Sequence, residues 1–179
     1  MTATAKSLCG RAAGDARMQS VAGKITARAI PRCRCAAWSS FVLLFAAGSS
    51  VDAAEHVVRT RRTEWIPAVL FVQPGDTVVW EGMRGHETAL VDGMGPPGAV
   101  SWDSMLDAEG FRITLTEEGA YIYTCDIHIN GGMVGAIVVG DDPPANLAAI
   151  DAALERVVVG RVFVERVIAR LRRELARRN

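Results

Sequence analysis

From His56 to Val139 short apolar runs alternate with turn-forming residues. Val57-Val58 and Val69-Leu70-Phe71-Val72 are followed by a Gln73-Pro74-Gly75-Asp76 turn and then by Thr77–Trp80. Phe111, Ile113 and Leu115 alternate with Arg112, Thr114 and Thr116, the period of two that puts one set on a buried strand face and the other in solvent. Gly119 closes a connection ahead of a strand running Ala120 to Thr124, and Met133–Val139 forms a last apolar strand. Short strands at this spacing, with no helical repeat between them, predict a mainly β, two-sheet sandwich.

The pattern changes after Asp141-Asp142-Pro143-Pro144, where Asp142 can cap a helix and Pro143 can take its first position. Leu147, Ile150, Leu154 and Val157 then recur at helical spacing, and Gly160 is a break. Beyond it Val164, Ile168, Leu171 and Leu175 make a second apolar stripe beside an arginine-rich face. Two helices over 143–179 are therefore expected to pack on a sandwich over 54–142. Each stripe reads as a core contact rather than a membrane-binding surface.

Charge divides the chain. Residues 54–144 carry five arginines, no lysine and fourteen acidic residues, a formal −9. From Ala145 onward eight arginines face four acids, a formal +4, so the C-terminal segment could dock on the acidic body by charge or present a solvated arginine face. The whole chain of 179 residues is formally neutral, and phosphate binding would need a basic excess, which argues against nucleic acid.

Arg32 and Arg34 precede a mostly apolar run, Cys35–Phe45, and small residues follow up to Val51-Asp52-Ala53. That is the layout of an export signal, so residues 1–53 are expected to be a leader cleaved after Ala53; the stretch ahead of the apolar run is long for a signal, and Met18 is the alternative start of translation. The run is too short to span a bilayer, so no stable membrane insertion is expected after cleavage, and the mature protein should be periplasmic. Cys9, Cys33 and Cys35 would leave with the leader, and Cys125 would remain alone. A lone thiol in an oxidising compartment needs protection, which metal ligation or simple burial provides.

The chemistry concentrates in Cys125-Asp126-Ile127-His128-Ile129-Asn130-Gly131-Gly132-Met133, a C-x2-H-x4-M pattern between two expected strands. His86 lies 39 positions upstream of Cys125. One thiolate, two imidazoles and a thioether are the donor set of a trigonal His2Cys centre with a weak axial Met, which selects copper for electron transfer. The metal ligands are thus expected to be His86, Cys125, His128 and Met133, holding one copper ion.

Together these segments resemble the cupredoxins, and most closely the pseudoazurins. The resemblance covers about residues 55–179. It is carried by Pro74-Gly75-Asp76-Thr77-Val78, Gly85-His86, Met94-Gly95-Pro96-Pro97-Gly98-Ala99, Gly119-Ala120-Tyr121, Cys125–Met133 and the Gly140–Leu147 approach to the C-terminal helices. It implies a cupredoxin-like two-sheet Greek-key sandwich with two C-terminal α-helices, and a type 1 blue-copper one-electron carrier rather than an enzyme. Its partner would be a redox protein, a reductase, dehydrogenase or cytochrome, docking near His128. A copper carrier or buffer using the same four ligands is the alternative.

The chain departs from that family where Asn usually follows the first His, Thr the Cys, and Pro precedes the second His; here stand Glu87, Asp126 and Ile127. The family's Asn bridges the two ligand loops, and a carboxylate accepts but cannot donate unless protonated. Glu87 near Asp126 would make the reduction potential depend on pH. The family's basic ring is also missing, with Arg84 the one obvious basic residue beside a ligand, so a partner with a basic or mainly apolar docking face is expected. Met94, Pro96, Pro97, Ile127 and Ile129 are expected as an apolar rim around His128. His56 would be third in a chain starting at Ala54, a position from which a free amine and imidazole can wrap Cu(II) or Ni(II); otherwise it is a strand-edge residue.

Overall fold

In the computed structural model, which describes residues 52–141 and 143–178, eight strands form two four-stranded sheets. The leader up to residue 51 and the cap expected of Asp142 lie outside the described residues. One sheet runs in the order β2 (Glu64–Ile66), β1 (Glu55–Arg61), β4 (Thr77–Glu81), β6 (Phe111–Thr114). The other runs β3 (Val69–Val72), β8 (Val134–Val139), β7 (Gly119–Thr124), β5 (Ala89–Leu90). Both sheets are mixed: β1 pairs parallel with β4, as Val57 opposite Val79, and β3 pairs parallel with β8, as Leu70 opposite Ile137. The expected sandwich is present.

Strands β7 and β8 are buried at every position, because both of their faces are covered. Their alternation then sorts side chains between two cores. Tyr121, Tyr123, Ile137 and Val139 point between the sheets, where they join Trp65, Trp80, Trp102 and Leu115. Ala120, Ile122, Val134, Ala136 and Val138 point outward and meet Ile150, Val164, Ile168 and Leu171 of the C-terminal helices. Ala120 and Ala136 alternate there with the branched Ile122, Val134 and Val138, an apolar face for the helices to cover.

The helices are α1 (Leu147–Leu154) and α2 (Arg161–Arg178); Gly160, at φ 67°, stands immediately before α2 as the expected break, while α1 ends earlier, so Val157 of the expected first stripe lies beyond it. Helix α1 begins at Leu147, four residues later than the Pro143 start expected from sequence. Pro143 is itself followed by a proline, which disfavours the helical conformation there, and Asn146 stands at the N-cap position instead. Its side chain does not cap the helix; it receives the Ala120 N–H at 2.9 Å and donates to the Ala120 carbonyl at 2.8 Å.

Docking of the C-terminal segment is apolar. Among the described residues the ion pairs of α2 stay within that segment: Arg161 with Glu155 and Glu165, Arg170 with Glu174, and Arg172 with Asp151. Arg178 reaches the sandwich, but through the ring of Phe71, 4.1 Å from its centroid. Surface ion pairs contribute little, so the buried Val164, Val167, Ile168 and Leu171 stripe holds the helix down. No helix among the described residues is long and apolar enough to cross a membrane.

Candidate metal centre

Strand β7 ends at Thr124, and Cys125 is the next residue, with no exposed surface. The chain then makes a 3-10 turn, Asp126–Gly131, closed by Gly132 at φ 88° before Met133 leads into β8. That left-handed conformation costs glycine little, and a Cβ there would also lie 3.1 Å from the Phe163 ring of α2. Within the loop the His128 N–H donates to the Cys125 carbonyl at 3.0 Å, and across its mouth the Cys125 N–H donates to the Met133 carbonyl at 3.0 Å. Sequence proximity alone thus becomes fixed spatial proximity for three of the four expected ligands.

The fourth, His86, arrives on the loop between β4 and β5. Its carbonyl accepts the Asp107 N–H at 3.0 Å, and the Asp107 carboxylate accepts the Gly85 N–H. Glu109 accepts the Gly82 and Met83 N–H groups, each at 2.8 Å. Ser104 Oγ accepts the Thr88 N–H at 2.9 Å, and Trp102 Nε1 donates to Thr88 Oγ1 at 3.2 Å. The segment 102–109 therefore fixes the His86 loop from its far side, a role that no motif in the sequence announces.

The donor atoms converge. Nδ1 of His128 lies 3.5 Å from Cys125 Sγ and Nδ1 of His86 lies 4.0 Å from it, with all three donors within 4.8 Å of one another. Two donors about 2.0–2.3 Å from one ion in a trigonal plane are about 3.6 Å apart, so one metal ion fits between these three with small adjustment. Met133 is fully buried in the same core cluster as Cys125.

Electrostatics favour ligation over protonation at the imidazole. Burial lowers the pKa of His86, the neighbouring His128 lowers it further, and Asp107 opposes them. A neutral imidazole is the form that binds metal. Burial raises the pKa of the Cys125 thiol, against the backbone N–H groups of Glu87 and His128 that favour the thiolate. A cation between the rings would supply the missing stabilisation and deprotonate the sulfur.

Other expectations are redistributed. Met94 is fully buried in the core beneath the helices, and Pro96 is buried against Gly119, at the opposite end of β7 and roughly 20 Å from Cys125. Neither belongs to a rim around His128. The Met94–Ala99 loop packs on the start of β7 instead. Ile129 is partly buried against the helices, leaving Ile127, 56% exposed, beside His128. The segments that brace the other ligand, His86, carry exposed apolar residues too: Ile66 on β2, next to Trp65, and Met105 and Leu106 just before Asp107.

The Asp126 carboxylate accepts the Thr124 hydroxyl at 2.6 Å, and among the described residues no hydrogen bond joins it to Glu87. Glu87 contributes its backbone N–H toward the sulfur. His56 Nε2 lies 2.8 Å from Asp76 Oδ2, and Glu55 and His56 are registered in β1 opposite Thr77 and Val78. Wrapping an ion with their amides would require unzipping the start of that strand.

Trp65 is the functional neighbour that sequence reading missed. It is buried on β2, 6.4 Å from the His86 ring and 5.5 Å from Tyr123 between centroids. A tryptophan in a short strand next to Arg61-Arg62-Thr63 reads as generic core, and a long-range pairing brings it to the ligand.

Three comparisons agree with this arrangement. Residues 53–140 match the model for copper binding proteins of the plastocyanin/azurin family. A putative pseudoazurin of Rhizobium leguminosarum bv. viciae is 33% identical over 117 residues, covering 62% of this chain and 76% of that protein. A pseudoazurin of Paracoccus pantotrophus is 34% identical over 88 residues, 49% of this chain and 59% of that one. The solved structure of a pseudoazurin from Sinorhizobium meliloti superposes with a TM-score of 0.57 at 33% identity, covering 66% of this chain and 96% of its own.

Proposed function

The chain belongs to the plastocyanin/azurin family of copper-binding proteins and within it is most like the pseudoazurins; on that premise we propose that it is a periplasmic blue-copper carrier shuttling single electrons between redox partners. The convergence of Cys125 Sγ with the Nδ1 atoms of His86 and His128 is the observation that carries this reading. Copper, when bound, supplies a one-electron couple between its two oxidation states. His86, Cys125 and His128 would hold it in a trigonal set, with the buried Met133 thioether as the weak fourth donor.

The protein's part is to keep those side chains still. Two loops bear the ligands, and each is fixed by backbone hydrogen bonds and covered by packed groups: segment 102–109 and Trp65 at His86, and Phe163 at Gly132. A rigid donor set that suits neither oxidation state fully lets an electron pass with little rearrangement. The half-buried His128 is the point of exit, beside the exposed Ile127.

Ile127, Ile66, Met105 and Leu106 supply exposed apolar surface next to the ligand loops, suited to low-area, transient docking. The partner is a redox protein whose docking face is mainly apolar or basic, since the sandwich itself is acidic. Transfer rates to acidic and basic partners across a salt series test this; faster transfer to an acidic partner at low salt contradicts it.

A copper buffer with the same ligands is the second reading, and what favours it is the partial exposure of both imidazoles. Exchange against a Cu(I) chelator separates the two. A shuttle retains its ion through many reduction and oxidation cycles, whereas a buffer yields it within the first.

A further inference from the structure

Asp76 is a carboxylate 3% exposed, in a turn between β3 and β4, and three donors surround it. Its Oδ2 receives the Gln73 N–H and faces His56 Nε2, each at 2.8 Å. Its Oδ1 receives the backbone N–H of Ala54 at 2.8 Å, while the Ala54 carbonyl accepts the Thr77 N–H at 2.8 Å. A buried carboxylate needs a positive partner as well as hydrogen bonds. His56 is the one ionisable donor of the three.

Ala54 is also where the leader is expected to end. Val51-Asp52-Ala53 precedes it with small or aliphatic residues at the first and third positions before the bond, as leader peptidases require, and Ala53 and Ala54 are both exposed. We propose that hydrolysis of the Ala53–Ala54 peptide bond is a maturation step that turns the Ala54 amide into an α-ammonium seated on Asp76. Water adds across the bond, leaving a carboxylate on Ala53 and the amine on Ala54. The donor already 2.8 Å from Oδ1 thereby gains a full charge, and the start of β1 is clamped to the turn ahead of β4. The inference rests on the leader reading and is independent of the copper site.

The groups around the pair are few. On β1 stand His56, at the other carboxylate oxygen, and Glu55, which is paired with Arg112 of β6 at 3.6 Å. Beyond the turn Asp141 is held by the Gln73 side chain at 2.8 Å. The amine gains its partner on folding, so its folded-state pKa rises above the unfolded value of about 7.7–8. Stability from the pair is then complete below that value and disappears as pH rises through the folded one.

The sequence provides a clean way to test this. From Ala54 to Asn179 there is no lysine, so the α-amine would be the sole primary amine of the mature chain and amine-directed acetylation would block it alone. The full-length gene is expressed with export, the copper-loaded product is weighed intact, and urea unfolding is followed before and after acetylation at pH 7 and pH 11. The mature chain is expected to begin at Ala54, and acetylation at pH 7 to raise the unfolding equilibrium constant roughly five- to tenfold. That gap should close at pH 11 and should be absent in Asp76→Asn. If Asp76→Asn does not fold, the pH comparison alone decides. A mature chain beginning elsewhere overturns the leader reading and the clamp with it. A chain beginning at Ala54 whose unfolding is unmoved by acetylation, or moved equally at both pH values, overturns the clamp and leaves the leader reading standing.

Discussion

The indole of Trp65 lies 6.4 Å from the imidazole of His86, tilted by 57°, and is itself buried from solvent. Its other neighbour is Tyr123, so it joins the His86 loop to the inner face of β7. Truncation to Ala removes that joint and leaves a cavity against the metal centre. Trp65→Ala should destabilise the protein by about 3–5 kcal/mol and weaken copper retention, whereas Trp65→Phe should cost less. Urea unfolding of the copper-free and copper-loaded forms measures both effects.

Gly135 is the position on β8 over which the Tyr123 ring lies. A Cβ there would sit 2.4 Å from Tyr123 Cζ, a distance at which one of the two must move. Tyr123 has little room to give, being fully buried; burial pushes its hydroxyl pKa far up, and the nearby Trp80 indole N–H falls short of hydrogen-bond geometry. Gly135→Ala should cost about 1–3 kcal/mol through overpacking. In a Tyr123→Leu background the same change should cost markedly less, and a double-mutant cycle on unfolding midpoints checks the coupling.

Asn146 serves β7 rather than its own helix, satisfying both the N–H and the carbonyl of Ala120. Asn146→Ala strands those two backbone groups in a buried setting. A loss of about 1–3 kcal/mol is expected, with accelerated amide exchange at Ala120. Hydrogen exchange followed by NMR reads that site directly.

Asp76 should set part of the acid limit of stability. Burial alone would raise its pKa, but the Gln73 and Ala54 N–H groups and His56 outweigh that and hold it below the usual carboxylate value. A lowered folded-state pKa means that its contribution is complete above the unfolded value of about 3.9 and is lost as pH falls through the folded one. Asp76→Asn should therefore flatten the decline in stability below about pH 4 and lower stability near neutrality. Urea midpoints between pH 2 and pH 7 test the slope.

The strands and the Cys125–Met133 loop were legible in the sequence because their signals are local: alternation along one strand, and ligand spacing within one turn. His86 is legible as the upstream histidine that completes a His2Cys donor set. What could not be read depends on contacts made far along the chain. Trp65 reaches His86 through sheet pairing, and Asp107 and Glu109 brace a loop more than twenty residues upstream. Pro96 falls at the wrong end of β7 for a docking rim and Met94 turns into the core beneath the helices, because a loop's sequence does not say which part of a strand it covers. The arginines of α2 suggest charge docking, yet among the described residues their carboxylate partners lie one or two turns away or on α1, as short-range geometry allows, while the apolar stripe makes the long-range contact.

The most direct test of the account is the visible absorption spectrum of the copper-loaded exported protein. An intense thiolate-to-copper band is expected in the oxidised form, bleached on one-electron reduction and restored on reoxidation. Cys125→Ser should lose the band while keeping a sandwich-like circular dichroism spectrum, because the fold rests on two cores of which the sulfur is a small part. A copper-loaded protein without that band, or one whose band survives Cys125→Ser, would contradict the assignment.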